Sequence, residues 1–201
     1  ETFVTSNFAL VGGEIKTNAK IPYTRIVRET IQKLGYTDPS FEFTDKSKVK
    51  ILVHQQSNDI ALGVDSGGAG DQGMMFGFAT NQTKELMPLP ISIAHRLVQQ
   101  LDEVRETKIV PLLRPDGKSE VTVAYENGKP KEIENIVLAS AHNPKITNKQ
   151  LKGELYKYVV KPVLDEYGYK VSKSNFILNG TGVWHIPGPT SDAGLTGRKI
   201  V

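Results

Sequence analysis

The chain has 201 residues, 38% hydrophobic and 23% charged, so it is long enough to bury a core as one large domain or two small ones. Its net charge of +3 is too small to predict a nucleic-acid-binding surface. The absence of cysteine excludes disulfides and thiolate metal sites and favours a reducing compartment. No apolar run reaches the roughly 18 residues of a membrane helix and no signal peptide opens the chain, so we expect a cytoplasmic protein without a membrane partner.

The first third of the chain predicts two strands around one helix. Phe3–Val11 is rich in β-branched and apolar residues and runs into Gly12-Gly13, which is typical of a strand that ends in a turn. Pro22 opens a helix with apolar residues at helical spacing, and Gly35 stands where a C-terminal cap belongs. Lys48–Gln56 predicts a second strand, which leads into polar side chains suited to a turn or to orienting a ligand.

The most unusual stretch is Gly67–Thr80, with the sequence GGAGDQGMMFGFAT. It holds Asp71 among four glycines, and four large apolar residues follow: Met74, Met75, Phe76 and Phe78. We expect a tight turn that offers a carboxylate to a ligand and is anchored by a buried apolar segment. The spacing also satisfies G-x-G-x-x-G, but no strand directly precedes it and Asp71 would repel a pyrophosphate. An acid in such a turn favours a cationic ligand, either an ammonium group or a metal ion.

The middle of the chain predicts a helix and a hairpin. Ile91–Arg105 has one apolar face at helical spacing, and His95 on or beside that face is more typical of packing than of ligand binding. The composition of Leu113–Ser119 (LRPDGKS) predicts a turn. The strands Glu120–Tyr125 and Glu132–Ser140 follow, joined through Asn127-Gly128.

The last part of the chain predicts a third helix, a short strand and a long loop. Thr147 and Gln150 form a capping-box pattern at the start of the helix, and Pro162 should kink or interrupt it. Phe176–Leu178 is the strand, and a loop rich in Gly and Pro follows it. Three helices, each flanked by strands, predict an α+β fold in which helices cover one face of antiparallel sheets, arranged as a repeated unit.

The unusual loops together favour a nucleotide and an amino-bearing small molecule. Lys118, Arg198 and Lys199 offer cations for phosphate oxygens, and Trp184 offers a flat face for a purine. Carboxylates for an ammonium group, a sugar hydroxyl or a metal come from Glu14, Asp71 and Asp192. Ordinary surface loops and a general phosphate-binding module are the alternatives that the pattern leaves open.

Two of these stretches, Gly68–Thr80 and Gly188–Lys199 (GPTSDAGLTGRK), resemble the signature pair of the S-adenosylmethionine synthetases. Four further segments fit that family in the same order: Glu1-Thr2, Val11–Glu14, Ala94–Val98 and Leu113–Ser119. The resemblance implies a methionine adenosyltransferase, which forms S-adenosylmethionine from L-methionine and ATP and releases pyrophosphate and phosphate. It also implies the synthetase fold of repeated antiparallel sheets covered by helices, with 1–66 from the N-terminal domain, 67–187 the central domain and 188–201 the start of the C-terminal domain.

The same resemblance implies a role for each site residue. The methionine-binding residues would be Glu14, Gln56, Asp71 and Asp192. The ATP-binding residues would be Asp116, Gly117, Lys118, Val183, Trp184, Asp192, Arg198 and Lys199, with Val183 and Trp184 standing where the family usually has Arg and Phe. The catalytic group would be Asp71, Lys118, Arg198 and Lys199. Glu1 would bind potassium, and the magnesium ligands would lie outside this chain.

We expect the chain to be part of a longer protein, because it opens on Glu1 without a methionine and stops at Val201 inside an apolar pattern. By resemblance the protein would be a homodimer or tetramer with active sites between subunits. A truncated, non-catalytic fragment or subunit that associates without turning over is the alternative function.

Overall fold

The computed structural model describes residues 1–69 and 72–197, and for Ile60 only the backbone. The chain divides into two compact units, Glu1–Gly77 with Gly188–Val201, and Phe78–Pro187. No helix within the described ranges combines the length and the apolar character that a membrane crossing requires. Each unit contains its own sheet and its own helices, so the predicted α+β class is confirmed.

The first unit is built on a four-stranded sheet in the order β3-β2-β1-β7. Its strands are β1 (Thr2–Thr5), β2 (Phe8–Ile15), β3 (Lys48–Gln55) and β7 (Gly194–Leu195). β2 pairs antiparallel with β1 and parallel with β3, so the sheet is mixed rather than purely antiparallel.

The prediction of one strand over Phe3–Val11 is wrong. The chain reverses at Asn7, which takes the left-handed conformation (φ 53°) that asparagine tolerates better than most residues. Gly12-Gly13 does not end the strand but lies inside β2, where it pairs with Leu52 and Val53.

Two helices accompany this sheet, α1 (Tyr23–Lys33) and α2 (Asn58–Asp65). The predicted cap is confirmed, since Gly35 follows α1 with a φ of 92°. Local patterns did not predict α2, which includes Gly63 and buries none of its described side chains.

The core of the first unit is small, so single packing contacts matter. Ala9 of β2, Ile31 of α1 and Phe43 are buried together. Tyr36 packs its ring edge-on against Phe41 and Phe43, with ring centroids 6.4 and 5.9 Å apart.

The second unit has a three-stranded sheet in the order β4-β5-β6, with β4–β5 antiparallel and β5–β6 parallel. The strands are β4 (Leu113–Glu126), β5 (Lys129–His142) and β6 (Phe176–Leu178). The helices are α3 (Leu89–Glu106), α4 (Asn148–Leu155) and α5 (Lys161–Tyr167). A continuous apolar core joins them and includes Leu97, Leu101, Ile136, Leu138, Leu151, Val163 and Phe176.

The local predictions for the helix that begins after Thr147 are confirmed, and this helix is α4 in the structure. Thr147 and Gln150 form the capping box. Tyr156–Val160 forms a wider π turn between α4 and α5, and Pro162 is the second residue of α5. Proline lacks the N–H that a regular helix needs and crowds the preceding turn, so it interrupts the α-helical bonding as predicted.

The prediction of a turn over Leu113–Ser119 is wrong, because this segment is the first half of β4. Leu113 pairs with His142 and Gly117 with Ser140. Between these two pairs β4 advances by four residues, whereas β5 advances by two. The extra residues form a bulge that contains Pro115 and the left-handed Asp116 (φ 81°). Pro and a left-handed residue are typical of turns, but a bulge accommodates both.

Gly188 shows why a glycine is needed near the end of the chain. It starts a short 3₁₀ turn, Gly188–Thr190, with a φ of 69°, and an added Cβ would lie 2.3 Å from the Tyr36 ring. The close approach fixes the start of the segment that leads to β7.

We predict that Gly188→Ala lowers the free energy of unfolding by about 1–3 kcal/mol more than Gly197→Ala does, measured by urea denaturation. Gly197 is the matched control, because its φ is 78° and an added Cβ would meet nothing within 4 Å. Both variants carry the cost of a left-handed alanine, and only Gly188→Ala also overpacks Tyr36. Equal losses would show that the ring contact is not restrictive.

Candidate functional site

The first unit places two of the predicted methionine residues at one end of its sheet. Glu14 lies near the end of β2 opposite His54 of the parallel strand β3, and Gln56 follows β3 directly. The Gln56 N–H donates to the Ile15 carbonyl at 3.0 Å, which extends the pairing past the end of β3. His54 Nε2 lies 3.0 Å from Glu14 Oε1. Glu14 and Gln56 therefore both lie at the carboxyl end of this parallel pair of strands.

An ion pair connects the last residue of α2 to the chain that follows β2 at the same end of the sheet. Lys16, just after β2, contacts both carboxylate oxygens of Asp65, with Nζ–O distances of 2.7 and 2.6 Å. Both side chains are about half exposed, so this ion pair fixes geometry more than it adds stability. After α2, the Gly68 N–H donates to the Gly63 carbonyl at 3.1 Å, and an added Cβ on Gly68 would lie 2.6 Å from that oxygen. Gly68 is thus needed to end the helix.

The predicted potassium residue is tied to the segment after Gly188. The Thr196 hydroxyl donates to the Glu1 carboxylate and accepts from the Thr2 N–H at 2.8 Å. The Glu1 carbonyl accepts from Gly12 N–H at 3.0 Å. Glu1 and Thr196 therefore present neighbouring oxygen ligands. Asp192 lies in the same segment, where its N–H donates to the Gly188 carbonyl at 3.0 Å.

Within residues 1–69 and 72–197, no group of three or more His, Cys, Asp or Glu side chains could hold a metal ion. A divalent cation such as magnesium prefers several carboxylate and water oxygens. The described residues therefore do not form a magnesium site. The neighbouring Glu1 and Thr196 groups offer oxygen ligands, the type that hard cations prefer.

The second unit brings Lys118 and Trp184 together. Lys118 Nζ lies 5.8 Å from the centroid of the Trp184 ring, within the range of a cation–π contact. The Trp184 indole N–H donates to the Ile186 carbonyl at 2.7 Å. Val183 beside it is 62% exposed. A cation and a half-buried indole thus meet at one surface.

Residues that the sequence analysis did not assign hold this arrangement in place. Arg114 Nη1 donates to the His185 carbonyl at 2.6 Å, and the His142 N–H donates to the Trp184 carbonyl at 2.9 Å. The rings of His142 and His185 lie edge to face, 4.9 Å apart. His142 is fully buried, and its Nε2 has no hydrogen-bond partner in the described part of the protein. These contacts join residues 42 or more positions apart, so no local pattern could reveal them.

Asp116 and Gly117 lie at the bulge next to Lys118. Gly117 has an ordinary backbone conformation, but an added Cβ would lie 2.5 Å from Leu101 Cδ2 of α3 and 3.4 Å from the Ala139 carbonyl. Packing against α3 therefore accounts for this glycine without any ligand.

The segment Ala94–Val98, part of the family resemblance, links α3 to α5 through Arg96. Arg96 Nε and Nη2 contact the two Glu166 oxygens at 2.9 and 2.8 Å. The hydrogen bond to Glu166 raises the pKa of the Arg96 guanidinium. Burial raises the pKa of the neighbouring Tyr167 hydroxyl, and the charges of Glu85 and Glu166 add to this rise. His95 is exposed, so the packing interpretation of that residue is wrong.

The expectation of a buried anchor after the glycine turn is also wrong. Four side chains of this stretch are strongly exposed: Met74 77%, Met75 95%, Phe76 90% and Phe78 75%. Met74, Met75 and Phe76 belong to the first unit, whose buried cluster among the described residues, Ala9, Ile31 and Phe43, is too small to cover them. Three predicted site residues, Asp71, Arg198 and Lys199, lie outside the described residues.

Comparison with known proteins agrees with this distribution of motifs. Residues 1–58 match the family model for the N-terminal domain of S-adenosylmethionine synthetase, and residues 66–184 match the model for its central domain. The S-adenosylmethionine synthase of Pseudothermotoga lettingae is 45% identical over 219 residues, covering 100% of this chain and 55% of that protein. The enzyme of the same name from Desulfosudis oleivorans is 45% identical over 214 residues, covering 100% and 54%.

The two units, each a mixed sheet with its own helices, define an α+β protein. The chain belongs to the S-adenosylmethionine synthetase family. It spans about half the length of the curated relatives that it matches.

We predict that Gly117→Ala lowers the free energy of unfolding by about 1–3 kcal/mol, because the new methyl group overlaps Leu101. In a Leu101→Ala background the same change should cost close to nothing, since the overlapping atom is gone. A double-mutant cycle measured by urea denaturation gives this coupling. Equal costs in both backgrounds would contradict the packing explanation of Gly117.

Proposed function

We propose that the full-length protein containing this chain is a methionine adenosyltransferase that forms S-adenosylmethionine from L-methionine and ATP. The observation that carries the proposal is the pairing of Lys118 with the Trp184 ring in the part of the chain that matches the family's central domain. A cation beside an aromatic face suits a nucleotide, which has both a phosphate chain and a purine.

The ATP-binding group would be divided between purine and phosphate contacts. Trp184 stacks on the adenine, with Val183 beside it, and Lys118 moves from the indole face to the phosphates. Asp116 and Gly117 hold the backbone of the β4 bulge beside Lys118, and Asp192 reaches the ribose. With Arg198 and Lys199, Lys118 supplies a charge of +3 against the roughly three to four negative charges of a triphosphate near neutral pH.

The methionine-binding group would lie in the first unit, at the end of its parallel strands. The Glu14 carboxylate accepts hydrogen bonds from the methionine ammonium group. The ammonium group competes for this carboxylate with the His54 imidazole, whose Nε2 lies 3.0 Å from Glu14 Oε1. Gln56 donates its amide to the methionine carboxylate, and Asp71 and Asp192 complete the pocket. Charge-assisted contacts of this kind fix the orientation of a small zwitterion.

The reaction itself asks the protein for position and charge rather than for a base. The methionine sulfur is a neutral thioether, so its lone pair attacks C5′ of the ribose without prior deprotonation. The S–C5′ bond forms, the C5′–O bond breaks, and its electron pair leaves with the triphosphate. Asp71, Lys118, Arg198 and Lys199 form the proposed catalytic group, the three cations stabilising the leaving oxygens. Water then cleaves the triphosphate to pyrophosphate and phosphate.

The family is known to use ATP with divalent and monovalent cations. For this chain we propose that Glu1, with the neighbouring Thr196 hydroxyl, holds potassium, which would supply fixed positive charge near the segment after Gly188. Magnesium would be the divalent cofactor, with its ligands outside this chain.

We propose a three-part division into 1–66, 67–187 and 188–201, and the separate family matches to 1–58 and 66–184 support its first boundary. We place the protein in the cytoplasm on the basis of the family alone.

We propose that the protein is a homodimer, or a tetramer of two such dimers, with active sites between subunits. The exposed Met74, Met75, Phe76 and Phe78 support this, because a contiguous apolar stretch on a protein surface is typical of an interaction site.

The function is tested by incubating the full-length protein with L-methionine, ATP, magnesium and potassium and measuring S-adenosylmethionine and phosphate. We predict that Lys118→Ala lowers kcat/KM for ATP by about tenfold to a hundredfold, as expected for loss of a charge-assisted contact. Lys131→Ala is the matched control, because Lys131 lies on the same hairpin and pairs only with Glu126 among the described contacts.

Loss of activity in Lys131→Ala as well as Lys118→Ala would contradict the specific role of Lys118. Absence of product from the unaltered protein would refute the enzyme and favour the non-catalytic subunit.

We predict that the double change Phe76→Ser and Phe78→Ser raises the dissociation constant of the dimer about a hundredfold or more, since two large apolar side chains lose their burial. Analytical ultracentrifugation across protein concentration measures it. Ile26→Ser, at an exposed apolar position of α1, is the control and should leave the constant unchanged. An unchanged constant in the double variant would exclude this stretch from the interface.

A further inference from the structure

The loop that carries Trp184 has little in its own sequence to hold it still. Gly180 and Gly182 precede Trp184, and Pro187-Gly188 follows it. The indole N–H donates to the Ile186 carbonyl of the same loop, which fixes the ring relative to the loop but not the loop relative to the sheet. Glycine loses more backbone freedom on ordering than any other residue, so the loop itself needs restraint from outside.

The restraint comes from the edge of β5 that faces β6. The regular ladder ends at Leu178, which pairs with Leu138, and the Asn179 N–H then donates to the Leu138 carbonyl at 2.9 Å. The Asn179 side chain continues the pattern, because its Oδ1 accepts from the Ser140 N–H at 2.8 Å and its Nδ2 donates to the Ser140 carbonyl at 3.2 Å. A side-chain amide therefore replaces a peptide group of the missing strand.

The next ladder position is His142, where the Trp184 segment provides both partners. The Trp184 carbonyl accepts from the His142 N–H at 2.9 Å, as a neighbouring strand would. The His142 carbonyl accepts the second hydrogen bond of this position from the His185 imidazole, whose Nδ1 lies 3.1 Å from the carbonyl oxygen. Because the acceptor is a carbonyl, Nδ1 of His185 must carry the hydrogen.

Two further contacts keep the His185 ring and backbone in place. The ring lies edge to face with the fully buried His142 ring, and the His185 carbonyl accepts from Arg114. The chain is thus held to β5 before Trp184 by Asn179 and after it by His185. Among the described residues after Asn179, His185 is the one whose side chain donates to the main chain of β5.

We propose that His185 is a positioning residue for nucleotide binding. Its imidazole supplies the ladder hydrogen bond that a strand would otherwise provide, and so holds the Trp184 indole beside Lys118 in the orientation that stacks on a purine. The purine contact rests on the proposed function, whereas the positioning of the indole does not.

The positioning is measured without nucleotide. Trp184 is the only tryptophan in the chain, so the difference in fluorescence between the full-length protein and its Trp184→Phe variant isolates this indole. In a His185→Leu background we expect a red-shifted emission and stronger quenching by acrylamide. His185→Asn should keep the parental signal, because its Nδ2 can take the place of Nδ1. His185→Gln, whose amide falls nearer the Nε2 position, should behave like His185→Leu.

The consequence for the reaction is a change in KM rather than in kcat. Loss of one neutral hydrogen bond corresponds to a rise of about fivefold in KM for ATP in His185→Leu and His185→Gln, with His185→Asn close to the parent. KM for L-methionine should not change. His95→Leu removes an exposed imidazole from α3 and serves as the control.

Unchanged Trp184 emission in His185→Leu, or equal changes in His185→Asn and His185→Gln, would overturn the proposal. If His185→Leu fails to fold, the comparison of the Asn and Gln variants decides alone. Absence of product from the unaltered protein would refute the proposed function, while the nucleotide-free fluorescence would still decide the role of His185.

Discussion

The hydrogen bond from the His142 main chain to the Trp184 carbonyl is the interaction on which the candidate nucleotide site depends. β5 is the central strand of its sheet, so one edge of it carries β4 and the other carries β6 and the loop that follows. Lys118 reaches the site from the first edge and Trp184 from the second. The two side chains meet only because both of their segments are bonded to the same strand, and the loop side of this bonding relies on Asn179 and His185 in place of a regular ladder.

The proposed chemistry explains why fixed geometry matters more here than an activated group. A thioether needs no proton removed before it attacks carbon, so a catalyst gains most by aligning the sulfur, C5′ and the leaving oxygen and by meeting the charge on the triphosphate. In the first unit the corresponding restraint is the parallel pair β2–β3, which fixes Glu14 relative to Gln56. The Lys16–Asp65 ion pair holds the following helix against the same strand end. Both units therefore position polar side chains through main-chain ladders rather than through loops alone.

Much of the fold could be predicted from local patterns, and the rest depends on contacts distant in sequence. The capping box at Thr147, the Asn127-Gly128 hairpin and the interruption at Pro162 each involve neighbours within a few residues, so the sequence displays them. The bulge at Asp116 resembles a turn in composition, and only its pairing with β5 reveals a strand. The family resemblance assigned roles to Glu14, Lys118 and Trp184, which stay predictions. It could not show that Gly117 packs against Leu101 or that His185 supports the Trp184 loop. Those roles arise from packing and hydrogen bonds between residues distant in the sequence, which the spacing of motifs along the chain does not reveal.

A crystal structure of the full-length protein with L-methionine and a non-hydrolysable ATP analogue would test where the nucleotide binds. We predict that the adenine stacks on the indole of Trp184, with Lys118 Nζ within hydrogen-bond distance of a phosphate oxygen. Electron density for the analogue at another surface, with Lys118 still over the indole and no base against it, would contradict the assignment.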